Sequence, residues 1–224
     1  SAKRMNIASL YPCPYDPQER HDSNAAIIKD GEVYAYEEGK LTSIKSEGTT
    51  KFSERGLLIG CKELGIAPAD IDKWVFPTPS RPVDLKEQSL FFSWLFKAFK
   101  GPFEDFPEWY KSHVTFVDHQ IGHAALAVFA SPFKECAFIC QDGGGDSGDP
   151  RNFIFGEFKE GVFTIRKECS GLSNLCAFHG FVTDALGFNG LDSGKTSGLA
   201  AYGKVQPKLA EQYLSLLTTN ENGI

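Results

Sequence analysis

IIKDGEVYAYE, residues 27–37, decides the fold class. Apolar residues flank Asp30-Gly31 on both sides, and an Asp-Gly step accepts the positive φ that a two-residue turn between antiparallel strands demands. The stretch predicts a hairpin with strands at 25–29 and 32–37, preceded by a third strand at 5–10. Downstream, NFIFGEFKEGVFTIRKE (152–168) repeats the pattern around Glu160-Gly161, and CAFICQ (136–141) stands where the 5–10 strand stood. Both halves open with strand, polar loop, strand, tight turn, strand, helix.

The intervening segments extend this unit. A helix is expected over 53–64, with Ser53 as N-cap, Glu54 at the positive end and Gly65 beyond the C-terminus. WVFPT (74–78) reads as a strand closed by the Pro-rich PTPSRP, 84–99 as a long amphipathic helix and VTFV (114–117) as a strand. A helix follows to Ser131-Pro132, and another is expected at 172–186 in the second half. Hairpin-led ββαβα units in tandem predict an α/β chain of duplicated ribonuclease-H-like fold, a mixed sheet with helices on both faces. The first unit is assigned to 1–133 and the second, whose pattern is incomplete, to 134–224.

Composition narrows the function classes. With 42% hydrophobic and 23% charged residues the 224-residue chain can bury a full core. Its net charge of −6 argues against a nucleic-acid surface, which needs a basic stripe to displace counterions. No apolar run approaches the roughly 20 residues that cross a bilayer, and SAKRMNIASL lacks a signal-peptide core. Met5 is a candidate native start, with SAKR an added leader. The six cysteines (13, 61, 136, 140, 169 and 176) form no CxxC pair. They are expected to be small buried thiols in a reducing cytoplasm, without disulfides.

Three stretches carry chemistry. DHQIGHAALA (118–127) places His119 and His123 one helical turn apart, on one face, where two imidazoles can meet one divalent ion. Equally, they can be polar residues at the start of a packing helix. Gln120 stands where HExxH requires Glu, which removes a zinc-peptidase reading. Two ligands are too few; Asp142, on the strand after this helix, is the best third candidate, while Asp118 either caps the helix or supports a ligand. DGGGDSGD (142–149) can form an anion nest through Gly143, Gly144 and Gly145, with Asp142 at its mouth, or be a plain turn. HDSNAA (21–26) occupies the equivalent loop of the first unit. GLDSGKTSGLAAYGK (190–204) is not a P-loop, because Asn189 stands where its first glycine belongs and no strand precedes it. Lys195 there is either an anion contact or a solvated loop cation.

These blocks resemble one family. HDSNAAIIKDGEVYAYEEGKLTSIK, DHQIGHAALAVFASPFKECAFICQDGGGD and GKTSGLAAYGK are similar, in order and over about residues 21 to 204, to the conserved segments of O-carbamoyltransferases of the nodulation and antibiotic-tailoring kind. The resemblance implies the duplicated actin-like and sugar-kinase-like ATPase fold. It implies transfer of a carbamoyl group from carbamoyl phosphate, by way of carbamoyl adenylate made with ATP, to a hydroxyl of a small-molecule acceptor. It makes His119, His123 and Asp142 ligands of a divalent metal (iron, zinc or manganese, all suited to imidazole and carboxylate), with a further Asp from a later part of the chain. It places His21, with Asp22 beside it, near the transferred carbamoyl, His21 as general base. Lys40 stands where the family carries arginine, since EEER is here EEGK.

Other departures are Ser23-Asn24 for Ala-Ser, Asp118 in place of the first histidine of a pair, and an added PCPYDPQER segment. The expected partners are the acceptor, the remainder of the same polypeptide and possible homodimer formation; nucleic acid and membrane are not expected. The 224 residues alone are expected to be inactive. Two rivals stand beside this reading. A tRNA threonylcarbamoyladenosine transferase shares the fold and the His-x3-His pair but carries Glu within it. A non-catalytic nucleotide- or phosphate-binding module would make the histidines structural.

Overall fold

The computed structural model describes residues 5–11, 23–44, 53–76, 95–96, 98–144, 151–170 and 175–216. The chain divides into two compact units, one running to Gly122 and one starting at His123.

The first unit is a five-stranded mixed sheet. Its strands are β1 (Ile7–Tyr11), β2 (Asn24–Lys29), β3 (Glu32–Glu37), β4 (Lys73–Phe76) and β5 (Val114–Phe116), in the order β3-β2-β1-β4-β5. β1, β2 and β3 pair antiparallel, whereas β4 and β5 run parallel to β1. The period-2 apolar pattern is what buries one face: Ala8 and Leu10 on β1, Ala25 and Ile27 on β2, Trp74 and Phe76 on β4. Helix α2 (Glu54–Glu63) lays Gly56, Leu57, Gly60 and Cys61 against that face. Gly60 permits the approach, since a Cβ there would meet the Tyr36 ring at 2.5 Å and Ile27 Cδ1 at 2.8 Å.

The second unit has an antiparallel sheet of order β6-β7-β8, with β6 (Cys136–Gln141), β7 (Arg151–Lys159) and β8 (Val162–Ser170). Phe138, Cys140, Ile154 and Phe158 are its buried apolar side chains, and Phe163 packs edge-on against Phe138 at 5.5 Å. The two hairpins turn alike. Asp30 and Gly31 have φ of 56° and 89°, and Glu160 and Gly161 have φ of 51° and 80°, so both positions of each turn are left-handed. This is the turn whose twist matches the flanking strands.

The strands fall within a residue or two of the expected spans. Four helices were not expected: α1 (Glu38–Thr42), α3 (Phe106–His113) and two late in the chain, at Ser193–Ala200 and Pro207–Leu216. In α3, Pro107 sits in the first turn, where its missing N–H costs nothing. Helix α4 (His119–Ala130) leads out of the first unit, and α5 (Leu175–Ala185), α6 (Ser193–Ala200) and α7 (Pro207–Leu216) follow β8. Most of the helix expected at 84–99 lies outside the described residues, as do residues 77–78 of the WVFPT strand. No helix among the described residues is long and apolar enough to cross a membrane. Among the described cysteines all are free; Cys61 and Cys140 are buried, while Cys136, Cys169 and Cys176 are half-buried rather than fully enclosed.

Candidate metal centre

Helix α4 is started by Asp118. Its carbonyl accepts the first bond of the helix, from the Gly122 N–H at 2.8 Å, and its carboxylate accepts the Ile121 N–H at 2.9 Å, a donor with no acceptor inside the helix. Gln120, Ala124 and Val128 form the buried stripe at i, i+4 and i+8. His119 and His123 lie one position round from that stripe, His119 half-buried and His123 exposed. Of the two roles expected of Asp118, the cap is present.

Asp142 follows β6 directly. Its N–H continues the ladder to Asn152 O on β7 at 2.9 Å, which fixes its backbone. One carboxylate oxygen accepts the Gly143 N–H at 2.7 Å, and the other lies 3.3 Å from His123 Nε2. One donor atom each from His119, His123 and Asp142 falls within 4.8 Å of the other two. Donors bonded to one ion at about 2.0–2.2 Å sit roughly 3–4 Å apart. Small side-chain rotations close that gap, so the two imidazoles and one carboxylate fit a divalent cation.

Cys176, on the first turn of α5, lies beside this corner. Its thiol donates to Gln141 O across 3.7 Å, and burial together with the charge of Asp142 pushes it above its ordinary pKa. The sequence carries no sign of this, because the contact depends on where α5 meets the end of β6.

The glycines behave differently from expectation. Neither Gly143 nor Gly144 adopts the left-handed backbone that an anion nest uses. The Gly143 N–H is turned to the carboxylate of Asp142 instead. Gly145 lies outside the described residues, and so do His21 and Asp22. Lys195 is on helix α6 rather than in a loop, with Nζ 2.6 Å from Asp192 and 5.9 Å from the centre of the Phe188 ring.

In the first unit Lys40 lines an open pocket of about 600 Å³ with Asn24, Ala35, Tyr36, Glu37 and Leu41. The α1 turn that carries it is anchored by Glu38. The Glu38 N–H donates to Ser23 O, and the buried Oε1 accepts from Ser53 Oγ at 3.0 Å and from Gly56 N at 2.8 Å. Ser53 therefore occupies the N-cap of α2 without capping it; its hydroxyl goes to Glu38, and the carboxylate of Glu38 caps the helix from another element. The Tyr36 hydroxyl donates to Glu63 at 2.8 Å, and burial followed by that hydrogen bond pushes its phenol up to about 12.

The family model described as Carbamoyltransferase N-terminus matches residues 96–222, a span that contains α4, Asp142 and α6. The chain belongs to that family. Among relatives, the nodulation protein NolNO of Sinorhizobium fredii is 26% identical over 219 residues, covering 88% of this chain and 30% of the relative. An uncharacterized Synechocystis protein, sll1178, is 28% identical over 151 residues, covering 56% of this chain and 24% of its own length. The carbamoyltransferase N-terminal chain thus spans less than a third of the curated relatives it matches. Two solved structures are similar at 10% identity, with 75% of this chain and 67% of theirs covered: YeaZ from Pseudomonas aeruginosa, TM-score 0.42, and a protein with similarity to peptidase YEAZ from the same organism, TM-score 0.40.

Proposed function

We propose that the chain is the N-terminal part of a metal- and ATP-dependent O-carbamoyltransferase, carrying the carbamoyl group of carbamoyl phosphate to a hydroxyl of a small molecule. The observation that carries the reading is the convergence of His119, His123 and Asp142 in a chain of this family. Support for a duplicated ribonuclease-H-like architecture, with units over 1–133 and 134–224, comes from the matching strand–turn–strand openings of the two sheets. The remainder of the polypeptide is the proposed partner, pairing against β6, which is an edge strand among the described residues. Homodimer formation and a cytoplasmic location belong to the same proposal.

In this reading one water releases phosphate from carbamoyl phosphate, and the carbamate left behind displaces pyrophosphate from ATP to give carbamoyl adenylate. The acceptor oxygen then bonds to the carbamoyl carbon, AMP leaves, and the hydroxyl proton passes to His21, with Asp22 beside it. Lys40 contributes a positive charge from the first unit; Gly144, Gly145 and Lys195 are proposed to contact phosphate groups. A bound cation neutralises phosphate charge and polarises the carbonyl. His119 and His123 are held at a helical spacing by α4. The cap at Asp118 fixes the start of that helix, and Gly143 fixes one oxygen of Asp142 so that the other faces His123.

Elemental analysis of protein purified without chelator tests the site. One divalent ion per chain is expected, lost in His119→Ala and in His123→Ala. A chain that neither retains nor can be loaded with one equivalent refutes the reading.

A further inference from the structure

Three donors leave a divalent ion short of the four to six ligands it prefers. The thiol of Cys176 stands outside the 4.8 Å cluster as the side chain is now turned, but it is hydrogen-bonded to the residue before Asp142. The peptide joining Gln141 to Asp142 is pinned from both sides: its N–H donates to Asn152 O on β7 at 2.9 Å, and its carbonyl accepts from Cys176 Sγ at 3.7 Å. A peptide carbonyl points opposite to its N–H, so the thiol lies on the open side of β6, one peptide unit from the carboxylate that faces His123 at 3.3 Å. Rotation about the Cα–Cβ bond of Cys176 swings Sγ without moving α5. Cys176 is also half-buried, which suits a ligand on the inner side of a site whose His123 face is open.

We propose that Cys176 is a further donor to the cation held by His119, His123 and Asp142, and that it biases the site toward zinc-like, borderline-soft metals over manganese. The proposal rests on the metal reading above. On coordination the S–H hydrogen bond to Gln141 is exchanged for a sulfur–metal bond, and the thiol proton leaves to solvent. Thiolate beside imidazole and carboxylate raises preference for zinc or cobalt(II), whereas manganese gains little from sulfur.

Cobalt(II) is the probe, added to the purified chain. The expected spectrum shows visible d–d bands together with a near-ultraviolet thiolate-to-cobalt charge-transfer band. Cys176→Ser removes the charge-transfer band and keeps the d–d bands, and its preference for zinc over manganese falls by at least about tenfold. His123→Ala removes both sets of bands. X-ray absorption of the zinc-loaded unmutated chain gives a readout independent of any variant, with one sulfur at about 2.3 Å. Cobalt bound with d–d bands but no charge-transfer band, or zinc with only nitrogen and oxygen neighbours, overturns the role of Cys176 and leaves the metal site standing. A charge-transfer band that survives Cys176→Ser overturns it too. A chain that binds neither ion fails both readings.

Discussion

Replacing Glu38 separates a buried structural carboxylate from an ordinary surface acid. Its Oε1 serves Ser53 Oγ and the Gly56 N–H, the third amide of α2, which has no acceptor within its own helix. Its Oε2 is buried without a hydrogen bond, with Arg55 Nε at 3.8 Å. In Glu38→Ala the helix amide loses its cap, costing about 1–2 kcal/mol. The stranded serine hydroxyl and the lost side-chain methylenes each add about 1 kcal/mol. Relief from burying a carboxylate with one unbonded oxygen offsets part of this, leaving a net loss of about 2 kcal/mol. That loss speeds exchange about thirty-fold wherever opening of α2 controls it. Glu38→Gln keeps an acceptor at Oε1 and is expected to lose less than about 1 kcal/mol. Amide hydrogen exchange at Gly56 and Leu57 reads this locally, which matters because a chain of two units need not unfold in one step. Exchange in Glu38→Ala within a factor of two of the unmutated chain refutes the capping argument. A Gln variant as damaged as the Ala variant shows that charge, rather than acceptor geometry, is what Glu38 supplies.

Other expectations are more local. Glu160 holds a left-handed φ of 51° without glycine's freedom, so Glu160→Asn is expected to stabilise the β7–β8 hairpin by about 0.5–1 kcal/mol, read by denaturant melting. The phenol of Tyr36, raised to about 12, stays protonated in the fold while an unfolded tyrosine ionises near 10. Between those values only the unfolded chain has lost the proton, so stability falls as pH climbs through that window; Tyr36→Phe should flatten the fall. Zinc at a hundred times its dissociation constant should stabilise the chain by about 2.7 kcal/mol in thermal melts, and the gain should vanish in His123→Ala.

What the sequence disclosed and what it concealed divide along a physical line. The Asp30-Gly31 and Glu160-Gly161 turns are legible because the constraint is local: two adjacent left-handed residues between apolar runs admit few alternatives. The His119–His123 spacing is legible for the same reason, since a helix fixes it. Glu38 is illegible because its partners lie 15 and 18 residues away, and an acid in EEGK looks like solvated surface until α1 folds it against α2. Ser53 shows the reverse error. Its position at the start of α2 was read correctly, but a hydroxyl's partner is set by what packs nearby, and a stronger acceptor was near. Helix α3 went unassigned because a proline signals a helix only when its place in the first turn is known, as Pro107's now is.

The glycines after Asp142 carry that logic into the site. Gly-rich sequence permits a nest but does not compel one, since each N–H turns to the strongest acceptor in reach. Here that acceptor is the carboxylate of Asp142 itself, 2.7 Å from the Gly143 N–H. A bond that closes the loop on its own aspartate also orients that aspartate, leaving the second oxygen toward His123. The same local interaction that removes Gly143 from a phosphate cradle therefore prepares Asp142 as a ligand. Gly143→Pro, which deletes that N–H, should weaken metal binding far more than it weakens the fold, because the strand pairing at Asp142 rests on a different amide.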